Sequence, residues 1–106
     1  MEAFEYAALQ EARRQSCKSY LEFLRHPTMS LGIYELAAES ADLQKPHRED
    51  EIYYVVSGRA QIHVGGEDRP VGPGSIVFVA AGVEHRFHSI EEDLSVLVVF
   101  APAETA

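Results

Sequence analysis

The chain has 106 residues, and its 17 acidic residues outnumber its 9 Lys and Arg residues, for a formal net charge of -8. This length suits one domain with a single core. The negative charge disfavours phosphate backbones and anionic lipid head groups, so we expect no nucleic-acid partner and no membrane partner. The sequence has no apolar run near the roughly 20 residues of a spanning helix and no secretion signal at its start, and its single cysteine suits a reducing compartment. We therefore expect a cytoplasmic protein.

Residues 1–28 are predicted to form a short helix and a strand that pack on the rest of the chain. Residues 7–15 are rich in helix formers, with a leucine and an alanine three positions apart on one face. Residues 20–25 alternate as a strand does, and residues 29–37 are predicted to form a hairpin with them. The intervening His-Pro-Thr supplies the turn.

The remainder of the chain is predicted to consist of short strands, so the fold class is all-β apart from the helix. Glycines at 65–66 and 72–74 mark turns. We assign residues 29–101 to the body of the domain and expect residues 102–106 to be a loose tail. The predicted strands cover residues 44–46, 51–56, 59–64, 75–79, 84–88 and 94–100.

Two segments place metal-ligand residue types beside strands. In residues 46–58, Glu51 follows His47 after three intervening residues, and residues 72–85 end on His85. Histidine nitrogens and carboxylate oxygens are ligands of divalent transition metals in proteins. We predict that His47, Glu51 and His85 bind one such ion. Iron, manganese, nickel and zinc all accept these ligands, so the sequence does not identify the metal.

The spacing of these segments resembles that of the cupin family, whose two motifs are roughly G(X)5HXH(X)3-4E(X)6G and G(X)5PXG(X)2H(X)3N. The resemblance covers most of the chain and implies a single small β-barrel of the jelly-roll, or double-stranded β-helix, type over residues 29–101. It also implies a metal site and a small-molecule ligand or substrate. The matching residues are His47, Glu51 and Gly58 in the first motif and Gly74, Gly82 and His85 in the second.

The sequence departs from the family pattern at four positions. Glu39 stands where the first motif begins with Gly, and Lys45 stands where that motif has its first His. In the second motif Ala80 replaces the Pro and Ser89 replaces the final Asn. The lost histidine leaves three expected ligands in place of the family's usual four.

The spacing of His47 and Glu51 predicts how they share an ion. Residues four apart in one strand are separated by about 13 Å, whereas two ligands of one ion lie within about 3 to 4 Å of each other. If residues 48–50 form a tight loop, His47 and Glu51 become a cross-strand pair with Cβ atoms about 5 Å apart. The charged composition of that loop favours this arrangement.

This register places further residues around the site. Lys45 falls opposite Tyr53 and Leu43 opposite Val55, so Lys45 and Tyr53 are predicted to border the site and are our candidate catalytic residues. Lys45 lies either in the pocket or at its rim. The odd-numbered residues among 51–55 are predicted to face the interior. His85 is predicted to point inward from its own strand.

Two alternatives remain open for the site itself. Glu49 competes with Glu51 as the carboxylate, although the proposed loop turns Glu49 to solvent. His47, Glu51 and His85 could also form a buried hydrogen-bonded cluster without a metal, since that arrangement satisfies buried polar groups equally well.

Two classes of function fit these residues. The first is a metal-dependent enzyme of dioxygenase type that acts on a small molecule, because two histidines and one carboxylate leave open positions on an ion. The second is a non-catalytic module that binds or senses a small molecule, with a structural metal or none. A cupin isomerase or epimerase is a third, weaker option. Ile52, Tyr54 and Val56 form an apolar outer face that needs a cover, which predicts a homodimer.

Overall fold

Residues 1–105, which the computed structural model describes, form one helix and six strands. The helix confirms the predicted N-terminal helix, and β1 and β2 confirm the predicted hairpin. The elements are α1 (Tyr6–Ser16), β1 (Tyr20–His26), β2 (Met29–Leu36), β3 (Asp50–Val64), β4 (Glu67–Val71), β5 (Ile76–Val79) and β6 (His85–Ala101).

All six strands belong to one antiparallel sheet. Its order is β1-β2-β6-β3-β4, and β5 pairs with the first half of β3. The sheet is not closed. The two longest strands, β3 and β6, lie at its centre and run side by side from Asp50 opposite Ala101 to Val64 opposite His85. The all-β fold class is therefore confirmed.

The two central strands are longer than the sequence predicted. Residues 51–56 and 59–64 were expected to be separate strands, as were 84–88 and 94–100, but each pair is one strand interrupted by shifts of register. Gly58 lies in this irregular part with φ +93, and a Cβ there would overlap the carbonyl oxygen of Asp93. Glycine is needed because the backbones of β3 and β6 approach closely at this bulge.

One further assignment was wrong, and one strand was not predicted. Residues 44–46 are not a strand, because residues 41–47 have no regular structure. The sequence pattern also carried no strand signal for β4, where two acidic residues, an arginine and a proline precede Val71. β4 forms because the turn after Val64 returns the chain along β3, with Ala60 opposite Val71.

The core lies on the inner face of the sheet. Glu51, Tyr53 and Val55 are buried while Ile52 and Tyr54 are exposed, as the predicted alternation requires. His85 and Phe87 are also buried on the inner face. The main core residues are Tyr53, Val55, Ile62, Phe87, Val96, Val98 and Phe100.

The N-terminal helix contacts the outer part of the sheet. α1 packs on β1 and β2, and Arg13 Nε lies 2.8 Å from Glu35 Oε1. No helix within residues 1–105 is long and apolar enough to span a membrane.

The C-terminal segment, residues 102–105, packs against the domain rather than forming the loose tail that we expected. The Glu104 amide donates to Ser30 Oγ at 2.9 Å, and the Thr105 hydroxyl donates to Glu49 Oε2 at 2.8 Å. The last residue of the expected tail, Ala106, lies outside the described residues.

Candidate metal centre

Three side chains from different parts of the fold meet on the inner face of the sheet. His47 comes from the irregular segment before β3, Glu51 is the second residue of β3, and His85 is the first residue of β6. One nitrogen or carboxylate oxygen of each lies within 4.8 Å of the others. Glu51 Oε1 is 3.1 Å from His85 Nε2 and 4.0 Å from His47 Nε2. The structure thus brings together all three residues that the sequence predicted as ligands.

The predicted reason for this convergence is wrong. His47 and Glu51 do not flank a hairpin loop, because β3 begins at Asp50 and pairs with β5 and β6. His47 is instead held by the turn before β6. The Gly82 amide donates to the His47 carbonyl at 2.7 Å, and the Ala81 amide donates to Asp50 Oδ1 at 2.9 Å.

The positions of the neighbouring residues change with this register. Lys45 does not lie opposite Tyr53, nor Leu43 opposite Val55; Tyr53 lies opposite Val98 and Val77. Leu43 is 85% exposed. Lys45 is also exposed and lines an outer groove next to His47, which is a position at the rim of the site.

Glu49 is buried rather than turned to solvent as we predicted. It is 4% exposed and accepts the hydroxyl of Thr105. Its burial depends on the packed C-terminal segment, which the sequence pattern did not reveal. Glu49 is not part of the three-residue cluster.

Gln44 is the residue of the site that the sequence analysis missed. Its Oε1 atom is 3.1 Å from His47 Nε2 and 3.2 Å from His85 Nε2, and it accepts the Tyr53 hydroxyl at 3.0 Å. Gln44 directly precedes Lys45, the position of the missing family histidine. This proximity in the sequence was the signal that could have identified Gln44. A glutamine amide, however, is less often a transition-metal ligand than the residue types that we considered.

The outer nitrogen of each histidine has a partner that fixes the ring. His85 Nδ1 lies 2.8 Å from the Val83 carbonyl, and His47 Nδ1 lies 3.2 Å from Glu104 Oε2. The Val83 carbonyl accepts a hydrogen bond, so His85 Nδ1 carries hydrogen, and in the neutral ring the His85 Nε2 lone pair faces the centre of the cluster. The Glu104 carboxylate makes an ion-pair contact with His47 Nδ1 and holds that ring from its outer side. Metal-binding histidines are commonly oriented by carbonyl and carboxylate partners in this way.

Glu51 is a carboxylate buried without a well-directed donor for one oxygen. It is 2% exposed, and within the described chain Oε1 has no hydrogen-bond partner of acceptable geometry. The 3.1 Å approach of His85 Nε2 is therefore a close contact rather than a well-formed hydrogen bond. An unpaired buried carboxylate oxygen is costly. A divalent cation at the centre would satisfy it, so the residues fit a metal ion.

Nearby charges also favour a cation at this place. Burial lowers the pKa of His85, but Glu51, the Val83 carbonyl and Asp42 outweigh that effect and raise it above its ordinary value. Burial, together with the charges of Glu51 and Glu49, raises the pKa of Glu104. The cluster thus lies in a region of negative potential.

A cavity of about 160 Å³ adjoins the cluster. Three tyrosines line it together with Val98 and Phe100. Burial first, and then nearby carboxylates, raise the pKa of Tyr20, and burial is also the main cause of the raised pKa of Tyr53. These phenols therefore stay protonated at neutral pH.

One of these tyrosines offers a free donor. The Tyr20 hydroxyl is buried and has no hydrogen-bond partner within residues 1–105. Its ring lies over Gly32, where any Cβ would overlap it. Glycine at that position is what admits the Tyr20 ring to the wall of the cavity.

Comparisons with known proteins support this architecture. The family described as the cupin domain matches residues 32–100. The protein SCO3923 of Streptomyces coelicolor, whose name states no activity, is 53% identical over 105 residues, which cover 99% of this chain and 100% of that protein. The crystal structure of TT1209 from Thermus thermophilus is similar with a TM-score of 0.76 and 27% identity, over 97% of this chain and 99% of that one.

A more distant structure shares the fold alone. The DMSP lyase DddQ from Ruegeria pomeroyi DSS-3 is 23% identical with a TM-score of 0.68, over 72% of this chain, which spans 39% of the lyase chain. Such a likeness carries no information about activity. Because the family match covers most of the sheet and both ligand-bearing segments, this chain belongs to the cupin family, with a jelly-roll fold.

Proposed function

We propose that this cupin is a metal-dependent enzyme of dioxygenase type that acts on a small molecule. The observation that supports this most directly is the meeting of His47, Glu51 and His85 beside a cavity of about 160 Å³. Two histidines and a carboxylate with open positions are typical of non-haem iron oxygenases. A bound Fe(II) would supply a Lewis acid and a place for O2, while manganese, nickel or zinc would also fit the donors.

The cavity residues would bind and orient the substrate. The Tyr20 hydroxyl, which has no partner among the described residues, can donate to an oxygen atom of a bound molecule. Val98 and Phe100 add apolar surface to the cavity. The cavity is smaller than the roughly 300 to 1,000 Å³ of drug-sized ligand pockets. We therefore propose a small, oxygen-bearing substrate.

Tyr53 and Lys45 keep the roles that we predicted for them, as proposals. Tyr53 is buried, and its hydroxyl donates to Gln44 beside both histidines, so it can orient that amide. Lys45 lies in the outer groove with Arg25 and Arg48. There its charge would attract an anionic group of an incoming substrate.

A non-catalytic binding or sensing module is the second candidate. The observation that favours it is the position of Glu104, which lines both the inner cavity and the outer groove and bonds to His47. A pocket bordered by the packed C-terminal segment would exchange its ligand slowly, which suits binding better than turnover.

Nitric oxide, used as an O2 surrogate, separates these candidates. We expect the Fe(II)-loaded protein to give a new electron paramagnetic resonance signal on addition of nitric oxide, because the proposed ligands leave positions open. Glu51→Ala should abolish that signal, and His63→Ala should retain it. An Fe(II)-loaded protein that stays silent to nitric oxide would rule out the dioxygenase proposal and favour the binding module.

We also propose that the protein is a homodimer. Ile52 lies opposite Phe78, and Tyr54 lies opposite Ile76, so these four side chains share the outer face of β3 and β5. All four are exposed. α1 packs on β1 and β2 and leaves this apolar face uncovered, which suits contact with a second copy. The cytoplasmic location remains a prediction from the sequence.

A further inference from the structure

We infer that the amide oxygen of Gln44 is a fourth ligand of the metal site, in the role that the family motif gives to a histidine. This inference rests on the proposed metal site formed by His47, Glu51 and His85. In this chain Lys45 stands at the motif position of that histidine, so the identity of the fourth ligand is the question.

The distances around Gln44 are those of neighbouring ligands. Two donors that each lie about 2.1 Å from one ion are about 3.0 Å apart at a right angle and about 3.4 Å apart at a tetrahedral angle. Gln44 Oε1 is 3.1 Å from His47 Nε2 and 3.2 Å from His85 Nε2. The contact between Glu51 and His85 is similar, at 3.1 Å. Gln44 Oε1 therefore lies as close to both histidine nitrogens as Glu51 Oε1 lies to His85 Nε2.

The orientation of the Gln44 amide is fixed by Asp42. Gln44 Nε2 donates to Asp42 Oδ2 at 2.7 Å, which turns the oxygen of the amide toward the histidines. Asp42 is itself held by the Phe87 amide at 2.9 Å and by the Tyr34 hydroxyl at 2.6 Å. A carboxylate cannot donate, so the opposite amide orientation would lose this bond.

A hydrogen bond from a neutral His85 does not explain the contact of that residue with this oxygen. With hydrogen on Nδ1, the neutral ring directs its Nε2 lone pair at Gln44 Oε1, which is itself an acceptor. Tyr53 donates to one lone pair of that oxygen. The other lone pair points into a group of acceptors, and a cation at their centre turns those contacts into coordination bonds.

The local chain path explains why Gln44 replaces the residue at position 45. Residues 41–47 are irregular, and Asp42 and Gln44 point inward while Lys45 is exposed in the outer groove. The backbone amide of Gln44 also donates to Asp42 Oδ1 at 3.3 Å, as in a short turn. The ligand position has thus moved one residue toward the N-terminus.

Nuclear magnetic resonance of the wild-type protein tests this directly. The sequence has no asparagine and only four glutamines, at positions 10, 15, 44 and 61, so the side-chain amide spectrum is simple. We expect one equivalent of Zn²⁺ to shift the Gln44 Nε2 and Cδ resonances, while those of Gln61 stay in place. The measurement does not depend on any variant folding.

Affinity provides the second readout. We expect Gln44→Leu to weaken Zn²⁺ binding at least about 10-fold, since even outer partners of ligands contribute about 10- to 100-fold. It should also change the visible spectrum of the Co²⁺-loaded protein, because a donor is lost. Gln61→Leu is the matched control and should bind as the wild type does.

The outcomes separate this inference from the proposed function. If the wild type binds Zn²⁺ while the Gln44 resonances stay in place and Gln44→Leu keeps its affinity, Gln44 is not a ligand, and the three-residue site stands. If the wild type takes up neither Zn²⁺ nor Fe²⁺, both proposals fail, and protonated histidines bonded to Gln44 and Glu51 explain the contacts.

Discussion

Glu104 Oε2 lies 3.2 Å from His47 Nδ1, so the C-terminal segment contacts the candidate metal centre directly. A carboxylate in this position fixes the ring of a metal-binding histidine. Glu104 is itself held by its backbone, because its carbonyl accepts from Arg25 at 2.9 Å. Glu104 is therefore part of the site.

The first prediction concerns this contact. Glu104→Ala should lower the affinity for Zn²⁺ or Co²⁺ by about 10- to 100-fold, because His47 loses the carboxylate that contacts its Nδ1 atom and holds its ring. Isothermal titration or competition with a chelator measures the change. Glu92→Ala is the control, since Glu92 is exposed and faces Arg59. Equal affinities for Glu104→Ala and the wild type would show that the C-terminal segment does not support the metal site.

The second prediction is that the purified protein binds about one divalent transition metal per chain. His47→Ala and His85→Ala should remove the bound metal in elemental analysis, because each deletes one of the converging nitrogens. His63→Ala should keep it, since His63 contacts Asp68 and Glu84 elsewhere on the sheet. A wild-type protein without metal, and with no micromolar affinity for any of the four candidate ions, would contradict the metal site.

The residue types and spacing of the sequence were enough to predict the three converging side chains but not the path that brings them together. His47, Glu51 and His85 are recognisable because few other residues bind transition metals. Gln44 was missed because its role depends on Asp42, which turns an ordinary amide inward through a contact made only in the fold. The burial of Glu49 likewise depends on Thr105, 56 positions away in the chain.

The strands likewise include features that the sequence predicted and features that it did not. The alternation of residues 51–55 predicted their buried and exposed faces correctly, since side chains alternate along any strand. We predicted separate strands on either side of Gly58, whereas Gly58 accommodates a bulge inside one strand. A glycine at a bulge and a glycine at a turn look alike in the sequence, because both positions need a backbone conformation that favours glycine.

The third prediction tests the role of Gly58. Gly58→Ala should destabilise the domain by at least about 1 to 3 kcal/mol, because φ is +93 there and the added Cβ would overlap the Asp93 carbonyl. Gly66→Ala is the matched control, since nothing lies within 4 Å of a Cβ at that position. Denaturant unfolding of both variants measures the difference. Similar free energies of unfolding for the two variants would argue against a close approach of β3 and β6 at Gly58.

The fourth prediction is a homodimer formed through the outer face of β3 and β5. Ile76 and Phe78 are 68% and 58% exposed, and they extend the apolar face of Ile52 and Tyr54 across two strands. An interface of about 1,600 Å² is typical of stable pairs. At about 25 cal/mol per Å² of apolar area, half of that area would give a gross gain of about 20 kcal/mol, before association costs.

Sedimentation at micromolar concentration measures the dimer directly. The wild type should sediment at twice the 11.8 kDa mass of the chain, and Phe78→Glu should shift it to the monomer, because a charge at the centre of a two-fold interface meets its own copy. Glu67→Lys changes the charge on the exposed β4 strand and should leave the dimer intact. A wild-type monomer would mean that the apolar face of β3 and β5 remains in solvent, whereas a dimer unaffected by Phe78→Glu would place the interface on another surface.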